Sequence, residues 1–209
     1  MNELGHLFVS AFVTLFVIID PPGCAPIFAS LTRQCTPPQR RSMALRSVLI
    51  AAGILVFFGL LGEELLEVLG IGLPAFRIAG GIMLFMIALD MVFERRTARR
   101  EHRAQEVSAT PEIEDVSVFP MGIPMIAGPG SIASVMLLVG RSDGLEQTLT
   151  VFAALAAVLV LTLLALLAAG PLMRLLGHRM EAMITRILGV ILAALAAQFV
   201  IDGVERSFS

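Results

Sequence analysis

The chain is 209 residues long, 57% of them hydrophobic and only 15% charged, with a mean hydropathy of +0.89 and a formal net charge of -2. That balance excludes an ordinary soluble domain, in which about a quarter of residues are charged. Runs of Leu, Ile, Val, Ala and Phe reach the roughly 20 residues that carry an α-helix across a hydrocarbon core, and no alternating ten-residue pattern points to a barrel.

Hydropathy places six spans, near residues 4–33 (interrupted), 43–62, 73–93, 116–139 (interrupted), 148–169 and 183–203. No Lys/Arg stretch precedes the first and no A-x-A cleavage site follows it, so Leu4 onward is expected to be a retained span. That span is broken by Asp20-Pro21-Pro22-Gly23. Proline removes a donor and fixes φ, while glycine lets the chain turn. In hydrocarbon, freed backbone groups cost several kcal/mol each unless protein or water satisfies them, so such a break points to a buried or water-lined site. Asp20 is the leading functional candidate, because a carboxylate in the apolar part of a span is costly; the plainer alternative is a helix cap ahead of Pro21. Cys24 and Cys35, eleven positions apart, match neither a redox pair nor a zinc spacing.

After the second span, Gly62–Gly70 reads as a short interfacial helix, with Leu65, Leu66 and Leu69 on one face and Glu63, Glu64 and Glu67 largely on another. Arg77, near the start of the third span, either snorkels to the interface or lines a pathway or pairs with an acid. The connector at about 94–115 turns from basic to acidic and reads as solvated. Its arginines are taken as a topology signal rather than a nucleic-acid site.

The fourth span carries Gly128-Pro129-Gly130 near its centre, followed by Ser131 and, one turn on, Ser134. The sixth opens with Arg186, the counterpart of Arg77. Asp90 and Asp202 read as span-end groups, and Gln198 as a packing residue. His6, His102 and His178 form no ligand cluster, and no HExxH, GxSxG or phosphate-loop motif is present. Neither a catalytic group, a metal nor a cofactor is expected, and the chain is not expected to be an enzyme.

All fifteen basic residues are arginine, and they alternate by connector. Arg33, Arg40, Arg41 and Arg46 follow the first span, Arg95, Arg96, Arg99, Arg100 and Arg103 the third, and Arg174 and Arg179 the fifth. Only Arg141 follows the fourth span, with Arg206 in the tail. The positive-inside rule therefore expects both termini outside the cytoplasm.

The two breaks repeat at a spacing of 107 residues, Pro22 to Pro129, and the segments from Arg77 and from Arg186 align at 109, Gly80 with Gly189. Two halves of three spans follow, repeat one at about 1–93 and repeat two at about 116–209, within one transmembrane domain. Three is odd, so the second half must be inverted. The half-helix after each break would then present N–H groups with partial positive charge to a shared pocket. Asp20, Gly23, Cys24, Gly128, Gly130 and Ser131 are the candidate solute-binding residues. Pro21, Pro22, Pro26, Pro124 and Pro129 shape the breaks.

At these residues the chain resembles the MarC family, also called the neutral amino acid transporter family, of prokaryotic six-span inner-membrane proteins. The likeness rests on DPPGCAPIFASLT from Asp20, IPMIAGPGSIASVMLL from Ile123, and the two Arg-Gly segments. It implies movement of a small neutral amino acid, glycine or alanine in type, driven by a proton or sodium gradient. Where the family pattern usually has Asn after DPxG, this chain has Cys24. The alternatives are a non-transporting assembly or regulatory protein and an intramembrane enzyme.

Overall fold

The computed structural model describes residues 3–93 and 115–208, and of residues 171–179 and 181 the backbone only. The expected solvated connector, with Arg95, Arg96, Arg99, Arg100, Arg103 and His102, thus lies outside the described residues apart from Asp115, as do the side chains of Arg174, His178 and Arg179.

Among the described residues all regular structure is helical: α1 (Glu3–Ile19), α2 (Pro21–Leu31), α3 (Pro37–Val68), α4 (Leu73–Val92), an irregular wide-turn segment Ser117–Ile126, α5 (Pro129–Val139), α6 (Leu145–Leu167) and α7 (Ala169–Ser207). Five stretches are long and apolar enough to cross a membrane: Glu3–Leu31, Pro37–Val68, Leu73–Val92, Leu145–Leu167 and Ala182–Ser207. The pair Ser117–Ile126 and Pro129–Val139, bent by 53° at its break, makes a sixth. An all-α membrane protein with six spans is the architecture that hydropathy led to.

One expected element is different. Gly62–Gly70 does not form a separate interfacial helix; α3 runs on without interruption to Val68. A glycine within a helix costs only about 1 kcal/mol, less than the backbone bonds lost by breaking the helix there. Gly62 is also where Met136 of α5 packs, since a Cβ on it would lie 2.7 Å from that side chain. At 1.5 Å per residue α3 is about 48 Å long, so its polar ends, with Arg41 and Glu67 exposed, extend beyond a hydrocarbon core of about 30 Å.

The packing crosses the chain. α1 and α2 lie against α6, while the irregular segment and α5 lie against α3. α2 also packs on α7, and α5 on α4. The most extensive pairing, α4 with α7, is antiparallel: Gly203 faces Pro74 and Ile78, Gly81 faces Ala196 and Val200, and Gly189 faces Ala88 and Met91. Glycine is required at these points, because a Cβ at Gly81 would sit 2.9 Å from the Ala196 carbonyl oxygen and one at Gly189 3.1 Å from that of Ala88. Without a hydrophobic drive between helices in lipid, such close backbone approach supplies much of the attraction.

The interior has two apolar clusters. Leu15, Ile19, Phe28, Leu55, Ile126 and Leu155 belong to one, and Ile18, Leu84, Met91, Leu137, Leu192 and Phe199 to the other. Ile18 and Ile19 thus turn to different clusters, and the first break lies where the two meet.

Candidate functional site

At the first break the chain does not simply stop being helical. Asp20 adopts φ 58°, ψ 64°, a left-handed conformation that Asp tolerates better than most residues. Its carboxylate Oδ1 accepts the N–H of Gly23 at 3.1 Å, capping α2. Pro21 and Pro22 occupy the first helical positions and bring no N–H of their own. The N–H of Cys24 donates to the Asp20 carbonyl at 3.0 Å. Every donor in the first turn is therefore absent or committed, and Gly23 and Cys24 do not present the open N–H groups expected of them. The reason is steric as well as electrostatic: a Cβ on Gly23 would lie 2.2 Å from Asp20 Oδ2, so the glycine makes room for the carboxylate.

The second break is built differently. Two X-Pro bonds before it are cis, Phe119-Pro120 and Ile123-Pro124, and the Ala127 N–H reaches back five residues to the Gly122 carbonyl at 2.9 Å. α5 then begins at Pro129 with no side-chain cap. Ile132 makes the first helical bond, to the Gly128 carbonyl at 3.0 Å. The N–H groups of Gly130 and Ser131 find no acceptor among the described residues. The Ser134 hydroxyl, one turn on and wholly buried, also has no partner among them. Ala127 stands where the first break has Asp20, so no carboxylate is available to close this helix end.

The two breaks share one hydrogen bond. The Cys24 thiol donates to the Ile19 carbonyl at 3.4 Å, and the Ser131 hydroxyl donates to the Ile126 carbonyl at 2.7 Å, both reaching back five residues across the interruption. Cys24 and Ser131 are 107 positions apart, as are Ile19 and Ile126. In each break a side-chain donor satisfies a carbonyl that the interrupted helix leaves open, so the Ser131 hydroxyl proton is spent on the protein here.

The breaks are also neighbours. A Cβ built on Gly130 would be 3.5 Å from the Ile18 side chain and 2.7 Å from that of Ile87. Asp20 is 2% exposed, Cys24 0%, Ala127 1% and Ser131 3%, so the region where they meet is closed to both sides. Pro22 and Pro124 are half-buried, Pro129 is exposed, and Pro26 lies inside α2 without interrupting it.

Arg77 and Arg186, paired in the sequence, do not occupy like surroundings. Arg186 is exposed on α7, whereas Arg77 is 1% exposed within α4. At the end of the bundle where α4 starts, Arg141, in the turn just after α5, forms an ion pair with Asp202 of α7, which also accepts from Gln198 Nε2 at 2.6 Å. The Arg141 guanidinium lies 4.7 Å from the centre of the Phe199 ring. From sequence alone Asp202 reads as a span-end group and Gln198 as a packing residue, and this cluster is not foreseen. Only the charge of Arg141, isolated in an arginine-poor connector, signals it. Elsewhere, Asp115 pairs with Arg46 at 2.9 Å and accepts the Ser117 hydroxyl, which, with the arginine, holds its carboxyl below the ordinary carboxylate range. No cluster of three metal-ligating side chains occurs among the described residues.

A family model described as MarC family integral membrane protein matches residues 5–208. A UPF0056 membrane protein of Aquifex aeolicus is 35% identical over 205 residues, covering 98% of this chain and 95% of that one. A UPF0056 membrane protein of Methanocaldococcus jannaschii is 36% identical over 198 residues, 95% and 96% of the two chains. The UPF0056 inner membrane protein YhgN of Escherichia coli is 33% identical over 205 residues, 98% of each. No solved structure matches.

Proposed function

Because the chain belongs to the MarC family of integral membrane proteins, we propose that it is a secondary transporter of a small neutral amino acid, working by alternating access around its two breaks. One observation carries this reading. Two dissimilar helix interruptions meet in the interior, one bringing a buried carboxylate, Asp20, and the other two unused N–H donors, Gly130 and Ser131, with the unpartnered Ser134 hydroxyl beside them. A zwitterion has the complementary pair of groups: an ammonium for Asp20, and a carboxylate for the positive end of α5. The small residues around them, Gly23, Ala127, Gly128 and Gly130, suit a glycine- or alanine-sized solute.

The mechanism calls for an inverted repeat, and the packing supports that reading. Shifting residue numbers by 107 to 109 turns the packing of α2 on α7 into that of α5 on α4, and the packing of α1 on α6 into that of the irregular segment on α3. The contact of Gly81 with Ala196 and Val200 becomes, within one residue, that of Gly189 with Ala88 and Met91. Two antiparallel helices exchange in this way only about an axis across them, which for spanning helices lies in the membrane plane. The closed breaks then correspond to an occluded state, and rocking one half against the other would expose them to each side in turn. The arginine distribution orients the molecule in the inner membrane with both termini outside the cytoplasm.

The test is uptake of glycine and alanine into proteoliposomes under an imposed proton or sodium gradient. Saturable, gradient-dependent uptake is expected, and Asp20→Asn, which keeps an acceptor for the Gly23 N–H, should lower it at least tenfold. Full coupled uptake by Asp20→Asn would overturn the role given to the carboxylate. A non-transporting assembly role is the second reading, favoured by the use of Asp20 as a helix cap. Complete absence of uptake, with loss of a membrane partner when Gly81 is enlarged, would select it.

A further inference from the structure

We propose that Arg77 and Arg141 form a second, carboxylate-binding station at the end of the bundle where α4 begins and α5 and α7 end. It rests on the transporter reading, on which that end faces out of the cytoplasm, and it would be where an amino acid halts before reaching the breaks.

Arg77 is the largest fully buried side chain, and Nε, Nη1 and Nη2 all lack a hydrogen-bond partner among the described residues. A buried guanidinium without a counter-charge is among the costliest groups a protein can hold, and is kept where something pairs with it. The charged groups around it are Arg141, Arg206, Asp202 and Glu63. Glu63 and Arg206 are exposed, and Asp202 already serves Arg141 and Gln198. The cluster therefore has more buried cation than anion, and a monoanion would balance it.

A second guanidinium points the same way. Arg141 is held by its ion pair and by the Phe199 ring, yet its Nε is buried with no partner among the described residues. Two planar groups with unused donors match the two oxygens of a carboxylate, which guanidinium binds in a fork. The station and the second break lie along one face of α4. Arg77, Gly80, Leu84 and Ala88 recur at helical spacing on one buried stripe of α4, and Leu84 packs where Gly130 opens α5. Seven residues separate Arg77 from Leu84, about 10 Å along the helix. Gly80 and Ala133, which lie between, are small.

The chain has neither Trp nor Tyr, so Phe199→Trp introduces a single indole beside Arg141. Sodium acetate, a carboxylate without an ammonium, is titrated into this purified full-length variant at constant ionic strength in sodium chloride. A saturable change in indole fluorescence is expected, absent with ethylammonium chloride, and its half-saturating concentration should rise at least tenfold when Arg77→Gln is added. No change, an equal change with chloride alone, or an undiminished change in the Arg77→Gln protein would each overturn the station. Should Phe199→Trp fail to fold, the thermal midpoint replaces the fluorescence. Acetate must then raise it more in the unmodified chain than in Arg77→Gln, and equal shifts overturn the station. Ligand-free Arg77→Gln should unfold no lower than the unmodified chain, since it deletes an unpaired buried charge; a clear fall would assign Arg77 a partner inside the protein. An acetate response without any glycine uptake would keep the station and overturn the transport reading instead.

Discussion

The role of Cys24 is plain only beside Ser131. Each donates to the carbonyl five residues earlier, so each keeps a buried acceptor from being left unpaired. Cys24→Ala and Ser131→Ala should each lower unfolding stability in detergent by about 1–2 kcal/mol, the cost of an orphaned buried carbonyl. Cys24→Ser should hold it or raise it, since a hydroxyl is the better donor. Gly23→Ala should cost about as much again, because its methyl would occupy the place of the Asp20 carboxylate. Equal stability of Cys24→Ala and the unmodified chain in denaturant titrations would show that the thiol bond is incidental. Asp115 gives a pH signature at the same scale. Its carboxyl is held low by the Ser117 hydroxyl and Arg46, so the contribution of this contact is present above the ordinary carboxylate range and is lost as pH falls through the depressed value. Ser117→Ala should move the Asp115 titration upward, as followed by carboxyl-carbon NMR. The site is partly exposed, so the effect on overall stability should be small.

Among the elements, α4 and α7 depend on glycine for their approach, and α3 does not throughout its length. Gly81→Ala places a methyl 2.7 Å from Val200 and 2.9 Å from the Ala196 carbonyl oxygen, and should destabilise by about 1–3 kcal/mol. Gly189→Ala, its counterpart, should cost a similar amount. Gly53 in α3 has nothing within 4 Å and is exposed, so Gly53→Ala should stabilise by about 0.5–1 kcal/mol through helix propensity alone. Thermal unfolding of the three variants checks all of this together. A penalty at Gly53 matching those at Gly81 and Gly189 would contradict the packing described.

For the molecule as a whole, the orientation can be read with its own cysteines. Cys24 is fully buried at the break, while Cys35 lies half-buried in the connector after α2, on the arginine-rich side. A membrane-impermeant maleimide should label Cys35 in inside-out vesicles and not in intact cells, and should leave Cys24 unmodified in both until the protein is unfolded or opens. Labelling of Cys35 from outside intact cells would reverse the topology.

Six spans, the two breaks and their 107-residue spacing were legible in the chain itself, because apolar length and the Pro/Gly interruptions are local properties that lipid enforces residue by residue. The same local logic missed the continuity of α3 through Gly62, where packing against Met136 outweighs a weak propensity. It could not tell that Asp20 would close its own helix end while the end at Pro129 stays open, since that depends on where a side chain turns relative to its neighbours. Nor could it distinguish Arg77 from Arg186. The two sit in matching sequence, but one faces the seam between α4, α5 and α7 and the other does not, and only the assembled helices decide which arginine is taken out of water.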